Sequence, residues 1–238
     1  MEIDMEAAIR MKKELRMDGK AITVYPIIVR AIAQAIREFL PKYPEMNAVR
    51  MGFRARKVIY FNEINTAVTC ASTVDGESVF YLCHVRNADQ KDLLEISNEL
   101  RAKAKGGIDN RDGLGKDPIF RYPRWLMPVL LWFGKTFPSA YFHYRGTVLI
   151  TSVGLWGPTM FPIGNRNLAF SFGPVEKKAV VVTDDTTGKS IDRIEIRHRM
   201  TMTMCIDHRT LEGAPSAQLF KRVKRLIENP PQEWLKPT

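Results

Sequence analysis

The chain has 238 residues, enough to bury a substantial core in one domain or at most two, and its 45% hydrophobic and 26% charged residues are ordinary for a globular protein. No run of about 18 apolar residues is present, which excludes a transmembrane helix, and the opening Met1-Glu-Ile-Asp-Met-Glu lacks the apolar stretch of a signal peptide. The net charge of +10 fits an anionic partner or merely a solvated basic surface, and no nucleic acid is expected because Lys and Arg are scattered rather than interleaved with aromatics.

In chain order, residues 4–18 predict an amphipathic helix with Ala8, Ile9 and Lys12 in its middle, ending near Gly19. Ile27 to Leu40 is apolar almost all round and predicts a buried helix; Pro26 suits its first turn, and Pro41 and Pro44 stop it. Strands are expected over 57–65, 67–71 and 78–85, with a turn at Asp75-Gly76. Asp89 to Lys105, with Leu93, Leu94, Ile96 and Leu100, predicts a further amphipathic helix closed by Gly106-Gly107. Segment 108–145 differs from the rest. A polar loop gives way to an aromatic run that includes Trp125, Trp132 and Tyr144, and its apolar part, Trp125–Phe133, is too short to span a bilayer. Strands recur at 147–152, 168–172, 179–183 and 194–207. The pattern predicts an α+β fold, a two-layer sandwich of a mixed β-sheet with helices on one face. Cys70, Cys83 and Cys205 are odd in number and widely spaced, so they read as buried reduced thiols, and a cytoplasmic location is expected.

The most informative unit lies near the C-terminus. From Ile194 the even positions run Ile194, Ile196, His198, Met200, Met202, Met204, Ile206, His208, against Glu195, Arg197, Arg199, Thr201, Thr203, Cys205 and Asp207. Such strict alternation is what a half-buried strand requires, because successive side chains point to opposite faces. His208 thus ends the apolar face, a costly place for a histidine without a partner or a task. Glu212-Gly213 then opens a helix with Leu219, Phe220, Val223 and Ile227 on one side. His198 stands ten residues from His208, roughly 33 Å along an extended strand, and cannot share its site within one subunit. His84 and His143 have no supporting motif and read as structural or surface residues.

The unit resembles the His-Arg-x-x-Asp-Gly signature of the catalytic domain of 2-oxoacid dehydrogenase acyltransferases, relatives of chloramphenicol acetyltransferase. Four more segments are similar to that family in the same order: Pro44-Glu-Met-Asn-Ala48, Glu63-Ile-Asn-Thr-Ala-Val68, Val85-Arg-Asn-Ala-Asp89 with Gln90-Lys91, and Gly146-Thr-Val-Leu-Ile-Thr-Ser-Val-Gly154. The resemblance implies a chloramphenicol acetyltransferase-like fold and a single catalytic domain over 1–238, with 108–145 as an insertion. It also implies a homotrimer or a multiple of three, each site lying at a subunit interface with His208 from one subunit and Thr151 from its neighbour. Lipoyl and subunit-binding domains are absent from this sequence, and so is the family's first segment, so a stand-alone acyltransferase or a fragment is expected.

Acyl transfer from a thioester needs a base for the attacking group, donors for the oxyanion and alignment of the two acyl carriers. His208 is the expected base. Thr151 stands where the family has a serine and keeps an O–H donor, with Ser152 beside it; otherwise both are ordinary strand-end polar residues. Glu212 replaces the family's Asp or Asn, one methylene longer, and is expected to orient the base or a neighbouring loop; otherwise it merely favours the start of a helix. Asp207 and Arg209 are expected to form structural ion pairs. Coenzyme A or acyl-coenzyme A is the expected substrate, whose phosphates suit the basic surface, with lipoamide a candidate acceptor in trans. No metal is expected, since there is no Cys/His cluster. The role expected of Trp125–Phe133 is burial against the sheet or a neighbouring subunit, ahead of an acyl-chain pocket and, last, interfacial membrane contact. The alternative overall is a non-catalytic oligomeric scaffold that kept the fold and lost the chemistry.

Overall fold

The structure is a computed structural model, and it describes residues 1–17, 22–51, 57–74, 77–105, 146–152, 166–184 and 191–235, with isolated positions between 123 and 162. The elements are β1 (Glu2–Asp4), α1 (Glu6–Met17), α2 (Tyr25–Phe39), a 3-10 turn (Pro44–Asn47), β2 (Ala48–Met51), β3 (Lys57–Tyr60), β4 (Asn65–Val74), β5 (Glu77–Arg86), α3 (Leu93–Lys105), β6 (Val148–Ser152), β7 (Leu168–Asp184), β8 (Ile191–Ile206), α4 (Gly213–Glu228) and a closing 3-10 turn (Gln232–Leu235).

Six strands form one mixed sheet in the order β1-β8-β7-β6-β4-β5, and β2 and β3 pair separately. β4, β6 and β7 run parallel, and the remaining pairs are antiparallel. The helices cover one face. Val68, Val85, Ile150, Phe170, Met200 and Met202 from the strands meet Ile28, Ile32 and Ile36 of α2 and Leu219, Val223 and Ile227 of α4 in one apolar cluster. α2 packs against both α3 and α4, and α1 against α4. The expected two-layer α+β arrangement is therefore the observed one. No helix among the described residues is long and apolar enough to cross a membrane.

Several element boundaries differ from the sequence expectations. Residues 2–4 form a strand on β8, so the first helix starts only at Glu6, where the Asp4 carboxylate accepts from the Glu6 N–H at 3.0 Å. Its buried stripe is Ala8, Met11 and Leu15. α3 starts at Leu93 rather than Asp89 because Asp92 and Glu95 cap it reciprocally: Glu95 N–H donates to Asp92 at 2.7 Å, and Asp92 N–H to Glu95 at 3.0 Å. The two strands expected at 168–172 and 179–183 are one, β7, interrupted by a bulge between Phe172 and Val175, where Pro174 has no N–H to give the ladder. The single strand expected at 57–65 is divided between β3 and the start of β4. The turn expected at Asp75-Gly76 lies outside the described residues, as does most of segment 108–145.

Gly146 fixes the entry to β6. Its φ is +66°, and a Cβ there would lie 2.8 Å from the Asn65 carbonyl oxygen and 3.2 Å from His84 Nδ1. Thr147 N–H also bonds the Asn65 carbonyl at 2.9 Å, so that oxygen cannot retreat without breaking the β4–β6 junction. Gly146→Ala is expected to cost about 1–3 kcal/mol, lowering the melting temperature by several degrees in calorimetry. An unchanged transition would show that this turn has room to relax.

Candidate active site

The candidate site begins where β8 leaves the sheet. The strand ends at Ile206, and the Asp207 N–H makes the last bond of its ladder with β7, to the Asn167 carbonyl at 3.0 Å, in register with the Leu168–Ile206 pair. The Thr210 and Leu211 N–H groups then fold back onto the Asp207 carbonyl at 2.9 and 3.0 Å, and the buried Leu211 side chain anchors the far end of the turn. Arg209 closes the turn from within. Its N–H, Nε and Nη2 donate to the Asp207 carboxylate at 3.1, 2.8 and 2.6 Å, and its carbonyl accepts from Arg50 Nη1 at 2.8 Å. The Arg209 guanidinium holds the Asp207 carboxyl below its usual range, and Asp207 raises Arg209 in turn. The ion pair expected of these two residues is thus formed between them.

His208 sits between the members of this pair. It does not end the apolar face of the strand, as its parity suggests, but stands exposed in the turn that follows β8. The hydrogen-bonding pattern explains the difference, because the Thr210 and Leu211 N–H groups return to the Asp207 carbonyl, so the chain is already turning at His208 and strand alternation has stopped. Among the described residues, the His208 imidazole makes no hydrogen bond. Glu212 is the residue that caps α4, exposed and extended at φ −85°, ψ 152°. Its carbonyl accepts from Ser216 Oγ at 2.7 Å, while its carboxylate makes no cap bond.

The two candidate hydroxyls stand on opposite faces of the sheet. Ser152 shares the helix face with Ile150 and Phe172 and hydrogen-bonds the Tyr25 hydroxyl; burial pushes the Tyr25 phenol up despite that bond. Thr151 lies on the far face in a row of three hydroxyl residues, since Thr151 pairs with Ser171 and Ser171 with Thr203. Ser171 is a residue the sequence reading missed. It is fully buried, and among the described residues its Oγ has no hydrogen-bond partner. Its only signal in the sequence is a serine inside the apolar run Leu168–Phe172.

One subunit does not bring His208 and Thr151 together. Ile206 stands three residues past Thr203, and Thr203 lies two strands across from Thr151. Three residues of strand cover roughly 10 Å and two strand spacings roughly 10 Å, so even Ile206 is roughly 14 Å from Thr151. His208 lies beyond it. His198 is also remote, as expected, and is engaged at the start of α1, where its N–H and its Nδ1 each lie 2.8 Å from the Glu6 carboxylate. His84 is buried behind Gly146, and His143 lies outside the described residues.

A cavity of about 280 Å³ opens on the helix side of the sheet at Ser152, bounded by Tyr25, Val68, Cys70, Phe80 and Leu100 among others. It is well apart from His208 of the same chain. Among the described residues no group of three His, Cys, Asp or Glu side chains is placed to hold a metal.

Comparison with known proteins places this arrangement in a family. The dihydrolipoyllysine-residue succinyltransferase component of the 2-oxoglutarate dehydrogenase complex of Staphylococcus saprophyticus is 28% identical over 96% of this chain and 46% of its own length. The chain thus spans about half the length of the curated relatives it matches. Among solved structures, a probable dihydrolipoamide acetyltransferase from Listeria monocytogenes superposes with a TM-score of 0.67 at 21% identity, covering 98% of this chain and 84% of that one. The dihydrolipoamide acetyltransferase of Azotobacter vinelandii gives 0.66 at 18% identity, covering 96% and 79%. The cubic core of the pyruvate dehydrogenase multienzyme complex gives 0.63 at 19%, with the same coverage. A chloramphenicol acetyltransferase gives 0.53 at 13%, covering 95% and 86%, so the expected likeness to that fold holds. A model of the 2-oxoacid dehydrogenases acyltransferase catalytic domain matches residues 1–112 and 144–235, leaving only 113–143 and the last three residues unmatched, and the chain belongs to that family.

Proposed function

We propose that this chain is a catalytic domain that moves an acyl group between a thioester such as acyl-coenzyme A and a thiol, amine or hydroxyl acceptor. His208 acts as general base. The observation that carries this reading is the setting of His208, an exposed residue on a turn whose backbone is held by the Asp207–Arg209 ion pair and the buried Leu211. A base on such a turn can meet a substrate brought against the surface, and the backbone bonds around it restrict where it points. In the Azotobacter vinelandii enzyme a serine, a histidine and an asparagine have been investigated for the catalytic mechanism, with the asparagine four positions after the histidine. His208 and Glu212 have that spacing.

His208 takes the proton of the acceptor as its heteroatom attacks the thioester carbonyl. The Thr151 hydroxyl donates to the oxyanion that forms, and the carbonyl returns as the donor's thiolate leaves and takes up the proton held by His208. Because the two residues are too far apart in one chain, they act across an interface, His208 from one subunit and Thr151 from the next. Ser152, committed to Tyr25 on the other face, shapes the cavity rather than the oxyanion site. The relatives' names make a lipoyl-lysine thiol the first acceptor to test, and they differ between succinyl and acetyl donors, so the acyl group stays general. Acetyl-coenzyme A and succinyl-coenzyme A, each with dihydrolipoamide and with amine and hydroxyl acceptors, should give acceptor-dependent release of coenzyme A. No acceptor-dependent release with any of them would favour the non-catalytic scaffold instead.

The unit is a trimer or a multiple of three. Past Arg199, β8 loses β1, and past Phe172, β7 loses β6, so Glu176–Asp184 and Ile191–Arg197 continue as a ribbon of two strands. On its helix-side face Val181 pairs with Ile194 and Ala179 with Ile196, and Val181, Ile194 and Ile196 are 66%, 76% and 75% exposed. Such a ribbon is marginal alone, and a cluster of exposed aliphatics on it suits a subunit contact. Trp125 and Trp132 of the 108–145 insertion are likewise exposed on the single subunit and are assigned to the same assembly. Light scattering should give three chains or a multiple of three for the wild type, and a lower mass after Ile194→Lys with Ile196→Lys. A monomeric wild type would remove both the assembly and the shared site.

Glu212 has a smaller part. Glu212 follows His208 by four positions, and its carboxylate is not used to cap α4. Glu212→Asp is expected to keep the fold and change turnover mildly, while Glu212→Ala lowers turnover several-fold. Unchanged kinetics in both, with small shifts in melting temperature, would leave Glu212 only the helix-start role.

A further inference from the structure

Cys70 takes no part in the chemistry proposed for His208, and it stands beside Cys83 and Tyr81 at the edge of a cavity. β4 and β5 pair Val68 with Cys83 and Cys70 with Tyr81, so both cysteines lie on the helix face as diagonal neighbours. They share a thiol–thiol hydrogen bond, and both are free of disulfides. Lys103 reaches in from α3, where its ammonium donates to the His84 carbonyl and, at 3.0 Å, to Glu99. Tyr81 ties the same helix end to β5, its hydroxyl lying 3.1 and 3.0 Å from the Lys103 and Ala104 carbonyls. The Cys83 bond, followed by the charge of Lys103, sets the Cys70 thiol below its ordinary value against the opposing effect of burial.

The Cys70 side chain borders the cavity of about 280 Å³ at Ser152. Val68, Leu100 and Ala104 give that cavity apolar surface, and Tyr25 and Ser152 give it hydroxyls. It is at the small end of ligand pockets, which run from about 300 Å³ upward. That volume suits a short acyl group and the head of its thioester, not a whole nucleotide carrier. Buried Cys83 has no such access, and Cys205 lies on the far face of the sheet beside Ala169.

We infer that Cys70 is an acyl-accepting nucleophile that takes a short acyl group from an acyl thioester entering this cavity. The Cys70 thiolate attacks the thioester carbonyl carbon, a new carbon–sulfur bond forms, and the donor's carbon–sulfur bond breaks. The electron pair leaves on the donor sulfur, which takes up a proton equivalent to the one Cys70 released. No oxidant or further reactant is consumed, and the product is a Cys70 thioester with a free donor thiol. The inference rests on the thioester chemistry proposed above but not on His208.

The test uses the full chain and acetyl-coenzyme A, with acid quenching and peptide mass spectrometry. A hydroxylamine-labile acetyl group should appear on the peptide carrying Cys70 well ahead of Cys205, in the wild type and in His208→Ala alike, and be lost in Cys70→Ser. Lys103→Met should slow the labelling several-fold near neutrality and recover at higher pH, where the thiolate forms without its help, whereas Lys103→Arg should keep the rate. An unacetylated Cys70, or one acetylated no faster than Cys205, overturns the inference even if transfer to dihydrolipoamide proceeds. Acetylation of Cys70 without transfer to any acceptor upholds it and counts instead against the role of His208.

Discussion

His208→Ala is expected to lower acyl transfer by about 10²–10⁴-fold, the usual cost of removing a general base, while leaving the fold in place. The structural basis for the second half of this expectation is direct. The His208 side chain is exposed and fills no part of the core, so its truncation opens no cavity. The turn is held by Asp207, Arg209 and Leu211, none of which the substitution touches. The wild-type pH–rate profile should show an ascending limb that the variant loses. The turn itself should not distort that limb. Asp207 has a lowered carboxyl pKa, so its ion pair with Arg209 adds stability that is fully present above the ordinary carboxylate range. That stability is lost only as pH falls through the lowered value, below where a histidine base ordinarily titrates. Equal turnover in the variant and the wild type would assign the transfer to another residue.

How much of this was legible in the sequence varies by element. α2 could be read from its composition, because a helix apolar almost all round has its place in the interior; its buried residues cover most of its circumference and leave one polar stripe at Arg30, Gln34, Arg37 and Glu38. β1 could not, since three residues carry no periodicity and are strand only because β8 offers them an edge. β7 was split by Gly173-Pro174, which locally mimics a strand end; the ladder resumes because β8 spans the bulge. Alternation in β8 gave the two faces correctly but not what covers them. Met200 and Met202 are buried, whereas Ile194 and Ile196, in the same parity, are exposed where the strand outruns its helices. The candidate site was legible through the residues around His208, yet its exposure depends on the turn that the Thr210 and Leu211 N–H groups close onto the Asp207 carbonyl, which strand parity does not reveal. The row that Ser171 forms with Thr151 and Thr203, and the diagonal approach of Cys70 to Cys83, depend on strand register, which one strand's sequence does not reveal.

Mixing two inactive variants should restore activity. Thr151→Ala removes the oxyanion donor and is expected to lower turnover by about 10²–10³-fold, as loss of one such donor does. His208→Ala removes the base. In one chain the two residues are separated by at least roughly 14 Å, too far for each to lie within ~3 Å of its own atom of one reacting carbonyl and attacking group. If neighbouring subunits supply them, each site needs an intact His208 from one chain and an intact Thr151 from the next. In a random mixture of equal parts, half the chains carry each intact residue, so roughly a quarter of the sites are complete in a closed ring. Co-folding the two variants, or dissociating and reassembling them together, should therefore return about a quarter of wild-type turnover. Mixing them without subunit exchange should return none, which separates complementation from residual activity. The double variant His208→Ala with Thr151→Ala, assembled with an equal amount of wild type, supplies the reference: wild-type neighbours are needed on both sides of a site, so it too should leave roughly a quarter. Recovery in the reference without recovery in the mixed single variants would mean that both residues act from the same chain. The separation seen in the sheet would then have to close by a rearrangement of β8 that its buried Met200 and Met202 oppose.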